Sequence, residues 1–303
     1  MDNQAPASAS NTPNDDEMTA PEAPYDGQLR VTVEQLLMAG AHFGHLTQRW
    51  NPKMKRFIFM ARNGIYLIDL NKTQSAIEEA CAKIAQIAAS GDDVLFIGTK
   101  KQARDIIETE AKRAECPYIS YRWLGGTLTN FTTIRRSVKT LESYEKMMTD
   151  GTYASISKKE QLTIERAKQK LLRTLGGIRN MKRLPGAVFV VDTKKEDIAV
   201  AEARRLGVPI FAIVDTNVDP DLVDYPIPAN DDAFKSIWLI ARAIADAILE
   251  GKRKVKEAQA PEIAPEQPAR PHPRRPRRRR PGRGGHSERR STGEEPVKEE
   301  PKV

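Results

Sequence analysis

The chain has 303 residues, 39% of them hydrophobic, and a formal net charge of +8, which suits one large or two modest domains with a real core. It holds no apolar run near the roughly 20 residues of a membrane span and no basic-then-apolar leader of the secretory kind. Its two cysteines, Cys81 and Cys116, lie far apart without metal spacing, so they read as small buried hydrophobes or free thiols of a cytoplasmic protein.

The charge is unevenly spread. Residues 1–24 carry five acids and no base, residues 25–251 carry 33 bases and 28 acids, and residues 252–303 carry sixteen bases and eight acids. The first stretch, built of Ala, Pro, Ser, Asn and Asp, has almost nothing to bury and is expected as a disordered acidic leader.

The next part runs from Gln35 to Ile68, thirty-four residues without one carboxylate, where the density of residues 25–251 would place about four. Inside it, AHFGHLTQRWNPKMKRFIFMAR interleaves Arg49, Lys53, Lys55, Arg56 and Arg62 with His42, His45, Phe43, Trp50, Phe57 and Phe59. A polyanion repels acids, whereas guanidinium groups, ammonium groups and flat rings suit phosphates and unstacked bases. The competing reading is a basic face on an ordinary soluble domain. A second gap, Cys116 to Leu141, holds YRWLGGTLTNFTTIRRSVK, and two gaps of one composition favour RNA.

Ile65–Ile68 reads as a short buried strand. A helix with its cap at Asn71 follows, with Ile77, Ala80, Ile84 and Ile87 at helical spacing and a break at Gly91-Asp92. Val94–Ile97 is the next strand, leading through Gly98 to a helix from Lys101 to Ala114, and Tyr118-Ile119 is a short third strand. Later come the strand Ala187–Val191, a helix from Glu196 to Leu206, the strand Pro209–Val214 and a helix from Ala233 to Glu250. Continuous Val/Ile/Phe runs separated by helices require a parallel sheet covered on both faces, so the fold class is α/β, an open doubly wound sheet. Residues 131–179 interrupt it with no strand run. Ile134, Val138, Leu141 and Met148, then Ile164, Leu171 and Ile178, predict two antiparallel helices joined near Asp150-Gly151, an inserted coiled-coil hairpin with Gly125-Gly126 and Gly176-Gly177 as hinges. The hairpin's first half carries Arg135, Arg136 and Lys139. The predicted organisation is thus a leader (1–24), an α/β domain (25–130 and 180–251), the hairpin (131–179) and a disordered Arg/Pro-rich basic tail (252–303).

Chemistry at the strand ends offers a second function class, a soluble enzyme with a nucleotide or phosphate ligand. Gly98-Thr99-Lys100 follows a strand but lacks the GxxxxGK[ST] loop. Asp215 with Asp219 and Asp221 could hold a hard cation, although Asp after a strand commonly shapes a turn. His42 and His45 could share a helical turn, but no third zinc ligand lies near in sequence. Neither a Ser/His/Asp set nor a Cys/His pair has supporting context, so no catalytic residue is assigned.

AGAHFGHLTQRWNPKMKRFIFMARNGIYLIDL, FIGTKK, RWLGGTLTNFTTIR, LGGI, VFVVD and FAIVDTNVDPDLVDYPIPANDDA resemble, in order and over Leu29 to Gly251, the bacterial small-ribosomal-subunit family conventionally called S-two. The resemblance implies a flavodoxin-like α/β domain with the coiled-coil insertion, no enzymatic activity, a place near the head–body junction and binding to small-subunit rRNA. It also implies neighbouring small-subunit proteins as partners, including the large mRNA-binding protein conventionally called S-one, and no cofactor beyond structural Mg²⁺ bridging rRNA. The chain departs from the family pattern in its leader, its tail and the basic MKRLPGA segment, Met181 to Ala187. With the basic residues of the two gaps, the expected RNA face comprises His42, His45, Arg49, Trp50, Asn51, Lys53, Lys55, Arg122, Trp123, Thr127, Asn130, Arg135, Arg136 and Lys139. Arg and Lys would neutralise phosphates, Trp and His would stack, and Asn would read base edges or 2′-hydroxyls. Trp123, next to Gly125-Gly126, has an alternative role in sealing the hairpin root.

Overall fold

Ile65–Ile68 does not enter the parallel sheet. The computed structural model describes residues 30–150 and 152–259, so the acidic leader and the tail beyond Gln259 lie outside the described residues. A short helix α1 (Val33–Met38), capped by Thr32, leads into β1 (Phe43–Leu46), β2 (Ile58–Arg62) and β3 (Ile65–Ile68), which form an antiparallel sheet of order β1-β3-β2. Asn63 and Gly64, both at positive φ, close a two-residue hairpin that pairs Arg62 with Ile65. An Asn-Gly turn of this kind matches the twist of its flanking strands.

Helix α2 (Leu70–Ala89) follows, capped by the Asp69 carboxylate accepting from the Asn71 N–H at 3.1 Å rather than by Asn71 itself. Then come β4 (Val94–Ile97), α3 (Arg104–Arg113) and β5 (Tyr118–Ile119). Helices α4 (Phe131–Thr149), α5 (Thr152–Ser155) and α6 (Lys158–Leu175) occupy the predicted interruption, and β6 (Ala187–Val191), α7 (Asp197–Leu206), β7 (Ile210–Val214), β8 (Tyr225–Pro228) and α8 (Phe234–Gln259) complete the chain. The five strands β4 to β8 pair parallel in the order β5-β4-β6-β7-β8. Numbered among themselves this is 2-1-3-4-5, the flavodoxin-like order.

Strand β8 is the one the sequence hid. Tyr225-Pro226-Ile227-Pro228 looks like a loop, because proline cannot donate to a ladder. The strand lies at the rim, however, bonded to β7 alone. The Ala229 N–H donates inward to Val214 at 3.1 Å, so Tyr225 and Ile227, of the same parity, also face inward and both prolines face outward.

Alternation along the strands separates two cores. Val94, Phe96, Phe189, Val191, Phe211 and Ile213 pack with α1, α2, α3 and α8 on one face. Leu95, Ile97, Val188, Val190, Ala212 and Val214 pack on the other with α7, with Trp123, Leu128 and Ile134, and with Met54. Cys81 and Cys116 are buried and free, and burial pushes the Cys81 thiol up to about 12.

Helix α8 overruns its predicted end. A Cβ on Gly251 would sit 2.4 Å from the Ala85 carbonyl and 2.8 Å from the Ala88 Cβ. Gly251 therefore allows α8 to cross closely over α2 instead of ending it, and the helix continues to Gln259.

Helices α4 and α6 pack against one another. Lys168 meets the Met148 sulfur at 3.1 Å, and Arg135 donates to the Arg179 carbonyl at 2.9 Å. The later α4 residue, Met148, meets the earlier partner, Lys168, while the earlier one, Arg135, meets the later partner, Arg179, so the two helices run in opposite directions. Gly126 is no free hinge, since its N–H donates to the Glu202 carboxylate at 2.7 Å.

Candidate nucleic-acid interface

Glu202, on α7, organises the second acid-free segment. Its carboxylate accepts from the Trp123 indole at 3.1 Å, from the backbone N–H groups of Gly126, Leu128 and Thr129 at 2.7, 2.9 and 3.0 Å, and from the Thr129 hydroxyl at 3.1 Å. Burial opposes its ionisation, but these donors outweigh burial and hold the carboxyl below its usual range. Trp123 is thus committed to the interior. Thr127 is buried as well, with its hydroxyl donating to the Leu124 carbonyl at 2.5 Å. The expectation that these two side chains face RNA gives way to an internal role, because both their surfaces and their donors are used up. The rigid loop leaves Arg122 and Asn130 exposed at its ends, and Arg136 and Lys139 exposed on α4. Arg135 is half-buried. Asn130 sits at the N-cap of α4 without a side-chain cap bond, and no acid occupies the first turn. A helix N-terminus of this kind suits an anion.

The first segment is pinned over the carboxyl end of β7. His45 N–H donates to the Thr216 hydroxyl and Asn51 N–H to the Thr216 carbonyl, both at 2.8 Å. A Cβ on Gly44 would lie 2.6 Å from Thr216 Cγ2, so only glycine permits this approach. Pro52–Phe57 form a 3₁₀ turn in which the Asn51 side chain caps the Lys53 N–H at 3.0 Å and Met54 is buried in the core that also holds Trp123. Part of each acid-free segment, around Met54 in the first and around Trp123, Leu128 and Ile134 in the second, therefore packs on one face of the parallel sheet. Trp50 is half-buried with its ring 4.9 Å from that of Tyr66, while Arg49 and Lys55 are exposed.

Freedom from acids in sequence does not mean freedom from acids in space. Lys53 pairs with Asp219 at 2.7 Å and Asp221 at 3.1 Å, and Arg56 with Asp221 at 3.2 Å. The hydrogen bond to Asp219 leads the effects that raise the Lys53 ammonium. His45 Nδ1 lies 3.0 Å from Asp215 Oδ2, and this bond raises the imidazole above its ordinary value despite burial. His42 instead lies against Phe43, ring centroids 4.0 Å apart, and burial lowers it. Among the described residues, no ion pair engages Arg49, Lys55, Arg122, Arg136 or Lys139.

At the sheet's carboxyl end, Lys100 follows β4 and reaches Asp192 after β6 at 3.3 Å, and Asp231 and Asp232 after β8 at 2.7 Å each. Burial draws the Lys100 ammonium down, but the carboxylates outweigh it and raise it. Burial, then Asp215 and Asp192, push Asp231 up to about 7. The seam between β4 and β6, where the strand order reverses and doubly wound sheets commonly bind ligands, is thus spanned by a lysine and its acids. Asp215, Asp219 and Asp221, which by sequence could have held a cation or shaped a turn, are divided: Asp215 serves His45, and the other two serve Lys53 and Arg56. Among the described residues, no helix is long and apolar enough to cross a membrane.

The sequence model of the family described as "Ribosomal protein S2" matches residues 36–251. Proteins named "Small ribosomal subunit protein uS2" are similar along most of their length. That of Cytophaga hutchinsonii is 55% identical over 237 residues, covering 77% of this chain and 93% of its own. That of Chlorobaculum tepidum is 56% identical over 244 residues, with 79% and 98% covered. That of Chlorobium phaeovibrioides is 53% identical over 248 residues, with 79% and 96% covered.

Proposed function

This chain belongs to the ribosomal protein S2 family, and on that premise we propose that it is a structural, non-catalytic constituent of the small ribosomal subunit, bound to small-subunit rRNA near the head–body junction. The observation that carries the reading is that the two acid-free segments share one core on the same face of the sheet, through Met54 and through Trp123, Leu128 and Ile134, and keep Arg49, Lys55, Arg122, Arg136 and Lys139 exposed and free of ion pairs among the described residues. These cations are the phosphate ligands. Asn130 and the open N-terminus of α4 add a dipolar contact, and the half-buried Trp50, Asn51 and His42 offer stacking and hydrogen-bonding groups. Lys53 and His45 enter the interface only by exchanging their carboxylate partners for phosphate.

Helices α4 and α6 form an antiparallel coiled-coil arm that carries Arg136 and Lys139 outward. The arginine-rich sequence after Gln259 adds diffuse affinity, since its charges are tethered to a body already held on a polyanion.

Isolated protein should bind small-subunit rRNA with a slope of log K against log salt of about −4 or steeper, the value for five phosphate contacts. Filter binding between low and moderate salt measures it. A slope shallower than about −2 would remove the five-cation face.

The exposed Leu37, Met38, Phe59 and Met60 suit a protein neighbour, and the reading assigns them to docking the mRNA-binding protein S-one. Small subunits assembled without this chain should then lack that protein too. Mass spectrometry showing it present in full on such subunits would refute the docking role.

A further inference from the structure

We infer that the cavity at the root of the hairpin, between α3, β5 and the end of α6, binds one unstacked nucleotide of an RNA strand, its base against Tyr121 and its phosphate on Arg104 and Arg173. This rests on the rRNA reading above and adds to it a site separate from the exposed cations already assigned to phosphate. The cavity measures about 490 Å³, inside the range of roughly 300–1,000 Å³ usual for small-ligand sites. Tyr121, Leu172, Arg104 and Arg173 line it together with Gly176 and Gly177. A Cβ on Gly177 would collide with the Tyr118 carbonyl, so only glycine lets the turn after α6 close against β5 and wall the cavity with bare backbone.

The side chains give this cavity the chemistry of a nucleotide site. Tyr121 is 40% exposed and belongs to neither core, and it lies inside the second acid-free segment, next to Arg122. Two guanidiniums from separate helices converge on its ring, Arg104 at 5.2 Å from the centroid and Arg173 at 5.4 Å. An extruded base stacks on such an exposed ring, and the guanidiniums beside it take the phosphate. Arg104 is set for this by its Nε–H, which donates to the Thr99 carbonyl at 3.1 Å. That bond fixes the side chain and leaves its terminal nitrogens for a ligand.

The charges agree. Among the described residues neither Arg104 nor Arg173 has an ion pair, although two acids line the same cavity. Glu108 is engaged elsewhere, 2.6 Å from Lys112 and accepting from the Tyr118 hydroxyl at 3.2 Å. The hydrogen bond from Lys112 leads the effects that hold its carboxyl below the usual range. Asp105, exposed in the first turn of α3, meets the positive end of that helix. Arg179, also at the cavity, is taken by Glu145 at 2.7 Å. What remains is two unpaired guanidiniums beside an aromatic ring and the exposed Leu172. That set fits an anion joined to a flat ring better than it fits the lone carboxylate of an acidic peptide.

The test measures binding of the full chain to a transcript of small-subunit rRNA by filter retention over a range of salt. Tyr121→Ala should weaken binding by about tenfold, the loss expected of one stacked base. It should leave the slope of log K against log salt unchanged, because no charge is removed. Tyr121→Phe, which keeps the ring, should bind as the native chain does. Arg104→Gln with Arg173→Gln should make the slope shallower by about 1.5, whereas Lys158→Gln with Lys159→Gln should leave it nearly unaltered. Circular dichroism checks that each variant is folded. Native affinity in Tyr121→Ala, or equal losses in Tyr121→Ala and Tyr121→Phe, overturns the nucleotide site and leaves the rRNA reading standing. A native chain that does not bind the transcript overturns both. Micromolar binding of free AMP or UMP that Tyr121→Ala abolishes would give the site to a free nucleotide and overturn its assignment to a strand. Binding of poly-L-glutamate that Tyr121→Ala abolishes would give it to an acidic protein, and overturns the assignment equally.

Discussion

Glu202→Gln is expected to unfold about 3 kcal/mol more easily than the native chain at neutral pH, because four partners lose an ionised acceptor at once. Trp123, Gly126, Leu128 and Thr129 all donate to this one carboxylate. Glutamine keeps one acceptor oxygen and places an NH₂ group against N–H donors on the other side, so at least one backbone donor is stranded in the core. In a body of this size the deficit lowers the unfolding midpoint by roughly 6–12 °C. The pH dependence follows from the depressed carboxyl. Glu202 is held below its ordinary value, so its ionised contribution is complete above the usual carboxylate range and is lost as pH falls through the folded-state value. Native and variant proteins should therefore converge in acid. Urea denaturation at neutral and acid pH measures this, and a neutral-pH difference below about 1 kcal/mol would show that the loop holds itself without Glu202.

Reversing Arg49, Lys55, Arg122 and Arg136 to Glu should weaken rRNA binding by roughly a thousandfold near physiological salt and prevent incorporation into small subunits. All four are charged side chains outside the core, and among the described residues none has an ion pair to lose, so the fold itself should be nearly indifferent. Reversing Lys158 and Lys159, exposed at the start of α6, supplies the control and should cost little. Lys53 is deliberately left out, because its removal would also release Asp219 and Asp221. Co-sedimentation with subunits decides the matter, and equal losses in the quadruple variant and the control would mean that net charge, not this face, governs binding.

The parallel sheet was legible because Val94–Ile97, Ala187–Val191 and Ile210–Val214 are buried on both faces, and burial on both faces writes an unbroken apolar run. Helices α2, α3 and α7 were legible by their period. Ile65–Ile68 was assigned to the wrong sheet because a short apolar run does not say which strand it pairs with, although Asn63-Gly64 carried the hairpin signal. Gly251 read as a stop because a glycine that ends a helix and one that lets two helices touch look alike in sequence. The site was half legible. Its exposed cations follow from composition, but the partners of Trp123 and Lys53 lie 79 and 166 residues away, beyond the reach of any local pattern. The acid-free gap was silent about which acids the fold would bring to it.

The two rims of the parallel sheet bear on what happens to newly made chains before they are assembled. Strand β5 has only two residues, too short a template for another chain to copy. On β8 the outward positions are Pro226 and Pro228, which have no N–H to offer, and the Pro228 carbonyl already accepts from the Thr73 hydroxyl at 2.5 Å. A neighbouring molecule seeking to extend the sheet finds no donors along β8 and one acceptor already occupied. Growth of the sheet from copy to copy, the route to fibrous aggregates, is therefore blocked at both margins while the protein waits in solution, unassembled.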